Sequence, residues 1–204
     1  MIAIIDYGVG NLFSLRSSLK YIGHDAAITG DAAAIKKCDK ILLPGVGAFA
    51  DAAAMLRSAG LAPLIVEEAQ KGKPLLGVCL GMQMLFEKSY EFGEHDGLGL
   101  LRGIVAPIKP LIPETCKVPH IGWNALRFPG SIKSPLFKYI SEGDCVYFVH
   151  SFHAEQCEDT IIAVTEYGVD LTAAVGRDNV FGTQFHPEKS GDAGLGILRA
   201  FAEL

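Results

Sequence analysis

The segment Lys73-Pro74-Leu75-Leu76-Gly77-Val78-Cys79-Leu80-Gly81-Met82-Gln83 runs an apolar stretch into Gly-x-Cys-x-Gly and then towards a helix. This is the thiol counterpart of the strand-turn-helix that presents a nucleophilic serine. A nucleophile at such a turn sits in strained backbone, and the flanking glycines leave room around it. The helix N-terminus behind it favours the thiolate, the reactive form of the side chain. Taken alone, Cys79 fits a buried structural cysteine between two packing glycines equally well, because free cysteines are commonly buried.

A thiolate nucleophile needs a base, and later an acid for the leaving group. Of the six histidines, His186 stands out. It follows the strand-like run Val180-Phe181-Gly182-Thr183-Gln184-Phe185, Pro187 blocks continuation of that strand, and Glu188 lies two residues on. A carboxylate so placed can orient an imidazole and favour its protonated form. Most histidines at strand ends are packing or surface residues, so the pair gains weight only beside the cysteine turn, 107 positions upstream. Acyl chemistry also calls for N–H donors to a developing oxyanion. The backbone N–H of Leu80, the residue after the nucleophile, is one candidate. The loop Pro44-Gly45-Val46-Gly47-Ala48-Phe49 follows another apolar run and can bring a second, since glycines let backbone approach a small substrate. Without the cysteine, that loop is an ordinary strand-to-helix turn.

Three further segments carry less. Asp6-Tyr7-Gly8-Val9-Gly10-Asn11-Leu12-Phe13 begins like a dinucleotide loop, but Phe13 stands where the third glycine belongs, which argues against nucleotide binding. In His150-Ser151-Phe152-His153 two histidines three apart would point to opposite faces of one strand, which favours a polar pocket wall or strand end over a metal site. Pro119-His120-Ile121-Gly122-Trp123-Asn124 holds the only tryptophan, either packed or an interface anchor.

These residues need a scaffold. Strand-like runs at Ile2–Ile5, Ala26–Thr29, Ile41–Leu43 and Leu75–Val78 alternate with helical stretches at Asn11–Tyr21, Asp51–Arg57, Leu61–Gln70 and Gly81–Glu87. Such alternation argues for a parallel sheet with right-handed crossovers. From Gly99 to Phe128 the strands read as short and broken by Pro107, Pro110, Pro113 and Pro119. Closely spaced strands follow at Cys145–Val149, Ile161–Glu166, Leu171–Val175 and Val180–Gln184, with turns at Tyr167-Gly168 and Asp178-Asn179. A helix from Gly194 to Glu203 closes the chain. The expected fold is α/β: three layers, a central mostly parallel sheet extended by antiparallel strands, in one domain over 1–204.

Composition sets the bounds. Half of the 204 residues are apolar and 20% are charged, so a sizeable core is expected. The net charge is −5 and basic residues do not cluster, which excludes a phosphate-neutralising surface and hence nucleic-acid partners. Charged residues interrupt every apolar run, so no membrane association is expected. The five cysteines are irregularly spaced and form no Cys-x-x-Cys, which leaves a disulfide framework or zinc cage without support. With no export signal at the start of the chain, a reducing cytoplasm is the expected location.

Taken together, the cysteine turn, His186-Pro187-Glu188-Lys189-Ser190, Pro44-Gly45-Val46-Gly47-Ala48-Phe49 and Pro119-His120-Ile121-Gly122-Trp123-Asn124 resemble the class I glutamine amidotransferases, in family order across nearly the whole chain. The last two segments narrow the likeness to the glutaminase-subunit family of imidazole glycerol phosphate synthases. That resemblance implies hydrolysis of the L-glutamine side-chain amide through a thioester on Cys79. His186 would move the protons and Glu188 would hold it. Leu80 and Gly47 would supply oxyanion donors, in a loop shared with Gly45 and Val46. Gln83 would help to hold the substrate, with Ser151 and Phe152. No metal or organic cofactor is implied. The partner implied is a separate, barrel-shaped cyclase subunit in a heterodimer, which takes ammonia through an internal passage. Asn11, Trp123 and Lys189 fall in segments expected on that contact face. The glycine-bounded loop at Val46 is expected to rest misaligned until partner and ligand realign it.

Other readings remain beside this one. They are a glutaminase serving another synthase, such as a vitamin B6 or anthranilate system, a catalytically silent regulatory subunit that keeps the fold, and a cysteine peptidase on a similar sheet.

Overall fold

Short apolar runs make strands, buried throughout in the parallel part and alternating in strands with one open face, and the runs between them make helices with one buried face. A computed structural model describes residues 1–130 and 133–204. The first half is β1 (Ile2–Ile5), α1 (Leu12–Tyr21), β2 (Ala26–Thr29), α2 (Ala32–Lys37), β3 (Lys40–Gly45), α3 (Phe49–Ser58), α4 (Leu61–Gln70), β4 (Leu75–Cys79) and α5 (Leu80–Gln83). The second half is β5 (Lys88–Ser89), β6 (His95–Asp96), β7 (Ile104–Pro107), β8 (His120–Arg127), β9 (Cys145–His150), β10 (Phe152–Glu155), β11 (Ile161–Glu166), β12 (Asp170–Arg177), β13 (Val180–Thr183) and α6 (Gly191–Glu203).

The main sheet runs β2-β1-β3-β4-β13-β12-β11-β8-β9. Its first five strands are mutually parallel, and from β13 onward every neighbour is antiparallel. Alternate residues of the parallel strands face two cores. Ile5, Leu43 and Leu75 pack with Ile35 of α2, Phe49 and Leu56 of α3, and Leu61 and Ile65 of α4. Ile4, Leu42 and Leu76 pack with Leu15 and Leu19 of α1 and with Ile197, Leu198 and Phe201 of α6. Covering both faces is what lets β1 and β4 be apolar throughout. The expected three-layer α/β architecture is the one observed.

Local chemistry sets the boundaries. The Asp31 side chain accepts from the Ala34 N–H and caps α2. Gly60, at φ 70°, ends α3 and starts α4. Pro63 falls in the first turn of α4, where its missing N–H is harmless.

Three expectations need correction. The helix foreseen over Gly81–Glu87 ends at Gln83, because the following carbonyls are claimed from elsewhere: Leu98 N–H bonds Met84 O, and Leu100 and Leu101 N–H bond Leu85 O. The region from Gly99 to Phe128 is not uniformly short-stranded, since β8 spans eight residues. A second sheet, β10-β7-β5-β6, was not foreseen, nor was α2. It puts His153 on β10 and His150 on β9, so the two histidines lie on separate strands.

Candidate active site

The register of two neighbouring strands brings the distant motifs together. β4 and β13 pair in parallel with Val78 opposite Thr183, so Cys79 and the Gln184–His186 segment leave the sheet side by side. Cys79 has φ 55° and ψ −113°, a left-handed conformation that costs a residue with a Cβ on the order of 1–3 kcal/mol. Three glycines make this turn possible. A Cβ on Gly81 would lie 1.9 Å from Leu43 O, one on Gly77 would lie 2.6 Å from Gly81 O, and one on Gly45 would lie 2.6 Å from Gly81 N. Backbone packs directly on backbone there, and the sulfur is aimed by those contacts. Gly45 belongs to this interlock, whereas Val46 and Gly47 beyond it stand exposed at the pocket mouth.

His186 Nδ1–H donates to Glu188 Oε1 at 2.9 Å, and the ring lines the same pocket as the Cys79 sulfur. Burial works to lower the pKa of His186, but the interactions with Cys79 and Glu188 outweigh it and raise it to about 9. The imidazole therefore carries its proton at neutral pH, beside the sulfur it serves. Burial pulls Glu188 the other way, yet the His186 bond and charge hold its carboxyl below the usual carboxylate range. The Asn11 amide donates to the same Glu188 Oε1 at 2.8 Å. Asn11, expected on a contact face, is half-buried, and its side chain reaches the carboxylate.

A pocket of about 280 Å³ opens over the sulfur, at the small end for small-molecule sites. Val46, Gly47, Leu80, Gln83, Ser151, Phe152 and His186 line it. Gln83 Nε2 donates to Phe152 O at 3.1 Å and to Gln184 Oε1 at 3.0 Å, and Gln184 Nε2 donates to the Cys79 sulfur at 3.8 Å. Sequence reasoning missed Gln184, Glu91 and Tyr7, whereas His150, read as part of a polar pocket wall or strand end, does line the pocket. Gln184 lies two residues before His186, which was a usable signal. Glu91 lines the pocket and accepts from Phe49 N–H at 2.6 Å; nothing in its surroundings marked it. Tyr7 donates to Pro44 O at 2.8 Å, and burial followed by the nearby Cys79 charge raises its pKa.

An aimed thiol, a charged imidazole and an orienting carboxylate around a small polar pocket suit attack on a small acyl compound. Comparison with known proteins decides the family. Residues 3–203 match the family described as glutamine amidotransferase class-I. The chain belongs to the class-I glutamine amidotransferase family.

Among curated relatives, imidazole glycerol phosphate synthase subunit HisH of Caldanaerobacter subterraneus subsp. tengcongensis is 51% identical to this amidotransferase, covering 100% of this chain and 98% of its own. The HisH subunit of Wolinella succinogenes is 48% identical, covering 100% of both chains. Among solved structures, one titled as the crystal structure of a glutamine amidotransferase superposes with a TM-score of 0.76 at 18% identity over 100% of both chains. PurLQS from Thermotoga maritima gives a TM-score of 0.76 at 20% identity, covering 99% of this chain and 97% of that one. At such identities the structures speak to the fold of this amidotransferase alone.

The exposed face of β8 and β9 lies beside the pocket. Trp123 is 56% exposed there, edge-on to Tyr147 at 6.1 Å, and Lys189 Nζ stands 5.9 Å from the same Tyr147 ring. Trp123 and Lys189 thus share one surface patch of the amidotransferase. No single helix among the described residues is long and apolar enough to cross a membrane.

Proposed function

We propose that this amidotransferase is the glutaminase subunit of an imidazole glycerol phosphate synthase, releasing ammonia from L-glutamine for histidine biosynthesis. The observation that carries the reading is the meeting of Cys79, His186 and Glu188 in a chain about half identical, over its whole length, to HisH subunits. Cys79 attacks the side-chain amide carbon. His186 hands its proton to the departing ammonia, leaving a glutamyl thioester, and then takes a proton from the water that hydrolyses it. Glu188 keeps the ring in the tautomer that this needs.

The N–H groups of Leu80 and Gly47 hold the developing oxyanion, with Val46 setting where the second one points. Gln83, Ser151 and Phe152 hold the glutamine. Gly47 has φ 93° and no atom within 4 Å of its missing Cβ, so the loop has room to turn over. That supports a resting loop whose donor is misaligned until partner and nucleotide realign it, which avoids wasting glutamine.

The partner is a barrel-shaped cyclase subunit, docked in a heterodimer on the face carrying Trp123 and Lys189. It uses the ammonia on a phosphoribulosyl-formimino nucleotide to make imidazole glycerol phosphate and aminoimidazole carboxamide ribotide. A sealed contact keeps the ammonia neutral and nucleophilic. All five cysteines are free, which suits a reducing cytoplasm.

The test is ammonia release from L-glutamine by the chain alone and with the cyclase and its nucleotide, with Cys79→Ala as control. Stimulation by the cyclase, abolished in Cys79→Ala, is expected. Activity unaffected by Cys79→Ala would overturn the mechanism. An alone rate equal to that of the complex would overturn the resting loop.

A further inference from the structure

The Ser151–Phe152 wall of the pocket is held from behind by a row of hydrogen bonds that leads away from Cys79. His150 Nδ1 lies 2.8 Å from Phe152 O. His150 Nε2 lies 2.9 Å from His120 Nδ1. His120 Nε2 lies 2.8 Å from Asn124 Oδ1, and Asn124 Nδ2 donates to Glu166 O at 3.0 Å. Both rings are buried, at 0% exposure for His120 and 6% for His150. His120 is also stacked on Phe148 and Tyr167, with centroids 4.9 Å and 4.0 Å away.

The two ends of this row are peptide carbonyls, which only accept. His150 must therefore donate from Nδ1 to Phe152. Asn124 must turn its amide nitrogen to Glu166, and its Oδ1 then needs a proton from His120 Nε2. Two neutral imidazoles carry one N–H each, and these two bonds use both. The ring-to-ring contact at 2.9 Å would then set lone pair against lone pair. Three protons on the two rings satisfy every link.

We infer that His120 and His150 share a third proton, and that the pair so closed is a positioning device for the Phe152 carbonyl, the same oxygen that receives Gln83. The proton comes from solvent and lies between His150 Nε2 and His120 Nδ1.

Several groups bear on the pair. From β10, His153 faces His150, itself 3.0 Å from Glu155. From the turn after β13, the charged His186 faces it too. After β11, Tyr167 covers His120 and donates its hydroxyl to Lys117 O. Among the described residues, no carboxylate hydrogen-bonds either ring. Burial above all, with the neighbouring histidine charges, works against the added proton and pushes His150 down to about 3. A charge-assisted bond between the rings, and relief of the lone-pair contact, work for it.

The first test needs no activity, so it stands apart from the glutaminase reading on which the positioning role rests. In the full chain labelled with 15N at histidine, solution NMR counts the exchange-protected ring N–H protons of the pair. Three are expected at about pH 6, within the range where histidines ordinarily titrate. Two throughout, from about pH 5 to about pH 8, would overturn the shared proton. Asn124→Leu removes the acceptor that makes His120 donate from Nε2, so the count should fall to two with the Phe152 link kept. A count still at three would overturn the argument. In the second test, the assembled complex of His120→Phe is assayed on L-glutamine. KM should rise about three- to tenfold with kcat within about twofold, the pattern of lost substrate positioning. An unchanged KM would overturn the positioning role. Should that variant fail to fold, the smaller His120→Leu takes its place in the same assay, with the same expectation and the same overturning result.

Discussion

The parallel and antiparallel halves of the main sheet contribute to the site in different ways. In the parallel half, β4 and β13 deliver Cys79 and His186 by register, and Gly45, Gly77 and Gly81 aim the sulfur through backbone contacts that admit no Cβ. In the antiparallel half, β9 and the linked β10 form a wall whose shape depends on side chains: Gln83 on Phe152, His150 on Phe152 and His120 on His150. The reacting atoms are thus fixed by the main chain, which a substitution either spares or destroys. The wall rests on individual hydrogen bonds and can be tuned one bond at a time.

The largest effect that would sharpen this contrast is Gly81→Ala. Its methyl group would meet Leu43 O at 1.9 Å, so the turn must open. We expect loss of glutaminase activity together with destabilisation by about 3 kcal/mol or more in denaturant titration. A fully active, stable Gly81→Ala would break the claim that backbone contacts aim the sulfur.

Next comes Glu188→Gln, which keeps the shape and removes the charge on His186 Nδ1. A drop in kcat of about tenfold or more is expected. A pH dependence of stability follows as well. The folded pKa of His186, about 9, lies above the unfolded value, so its contribution is complete below the unfolded pKa and is lost as pH rises through about 9. Glu188, with its folded pKa lowered, contributes above its unfolded pKa and loses that contribution as pH falls through the folded one. The melting temperature should therefore fall as pH is raised from about 6.5 to about 9, and fall less in Glu188→Gln. Equal slopes in the two proteins would break the link.

Gln83→Leu comes third, because it touches the wall and leaves Phe152 O and Gln184 Oε1 each short of a donor. A rise in KM for glutamine outweighing the fall in kcat is expected, with about 1–3 kcal/mol lost in denaturant titration. The smallest effect on the chain itself is that of Trp123→Ala, because the ring is 56% exposed. Stability should change by less than about 1 kcal/mol, while binding to the proposed cyclase partner, measured by calorimetry, weakens by about 1–2 kcal/mol or more.

The same contrast decides what could be read from the sequence. The Gly77–Gly81 turn and the His186–Glu188 segment were legible because local chemistry and the backbone both demand those residue types. The parallel strands were legible because, buried on both faces, they must be apolar throughout. The small sheet was not, because β5 and β6 are two residues each and carry no periodicity. The bond from Asn11 to Glu188 was not legible, since nothing in the neighbourhood of Asn11 tells that α1 begins against a carboxylate 177 positions away. The segments of His120 and His150 stood out in the sequence, one as the tryptophan-bearing motif and the other as a polar pocket wall, but only the pairing of β8 with β9 makes the two rings neighbours.

Seating the nucleophile and its base on adjacent strands in the middle of a nine-stranded sheet has an effect on durability. Fraying at β2 or β9, the two edges, leaves the sulfur and the ring in register. To separate them, the molecule must tear along its best-buried seam, which is an opening as costly as unfolding the whole. Chemical competence and structural survival are in this way tied to one event, and the catalyst ages all at once and not by degrees.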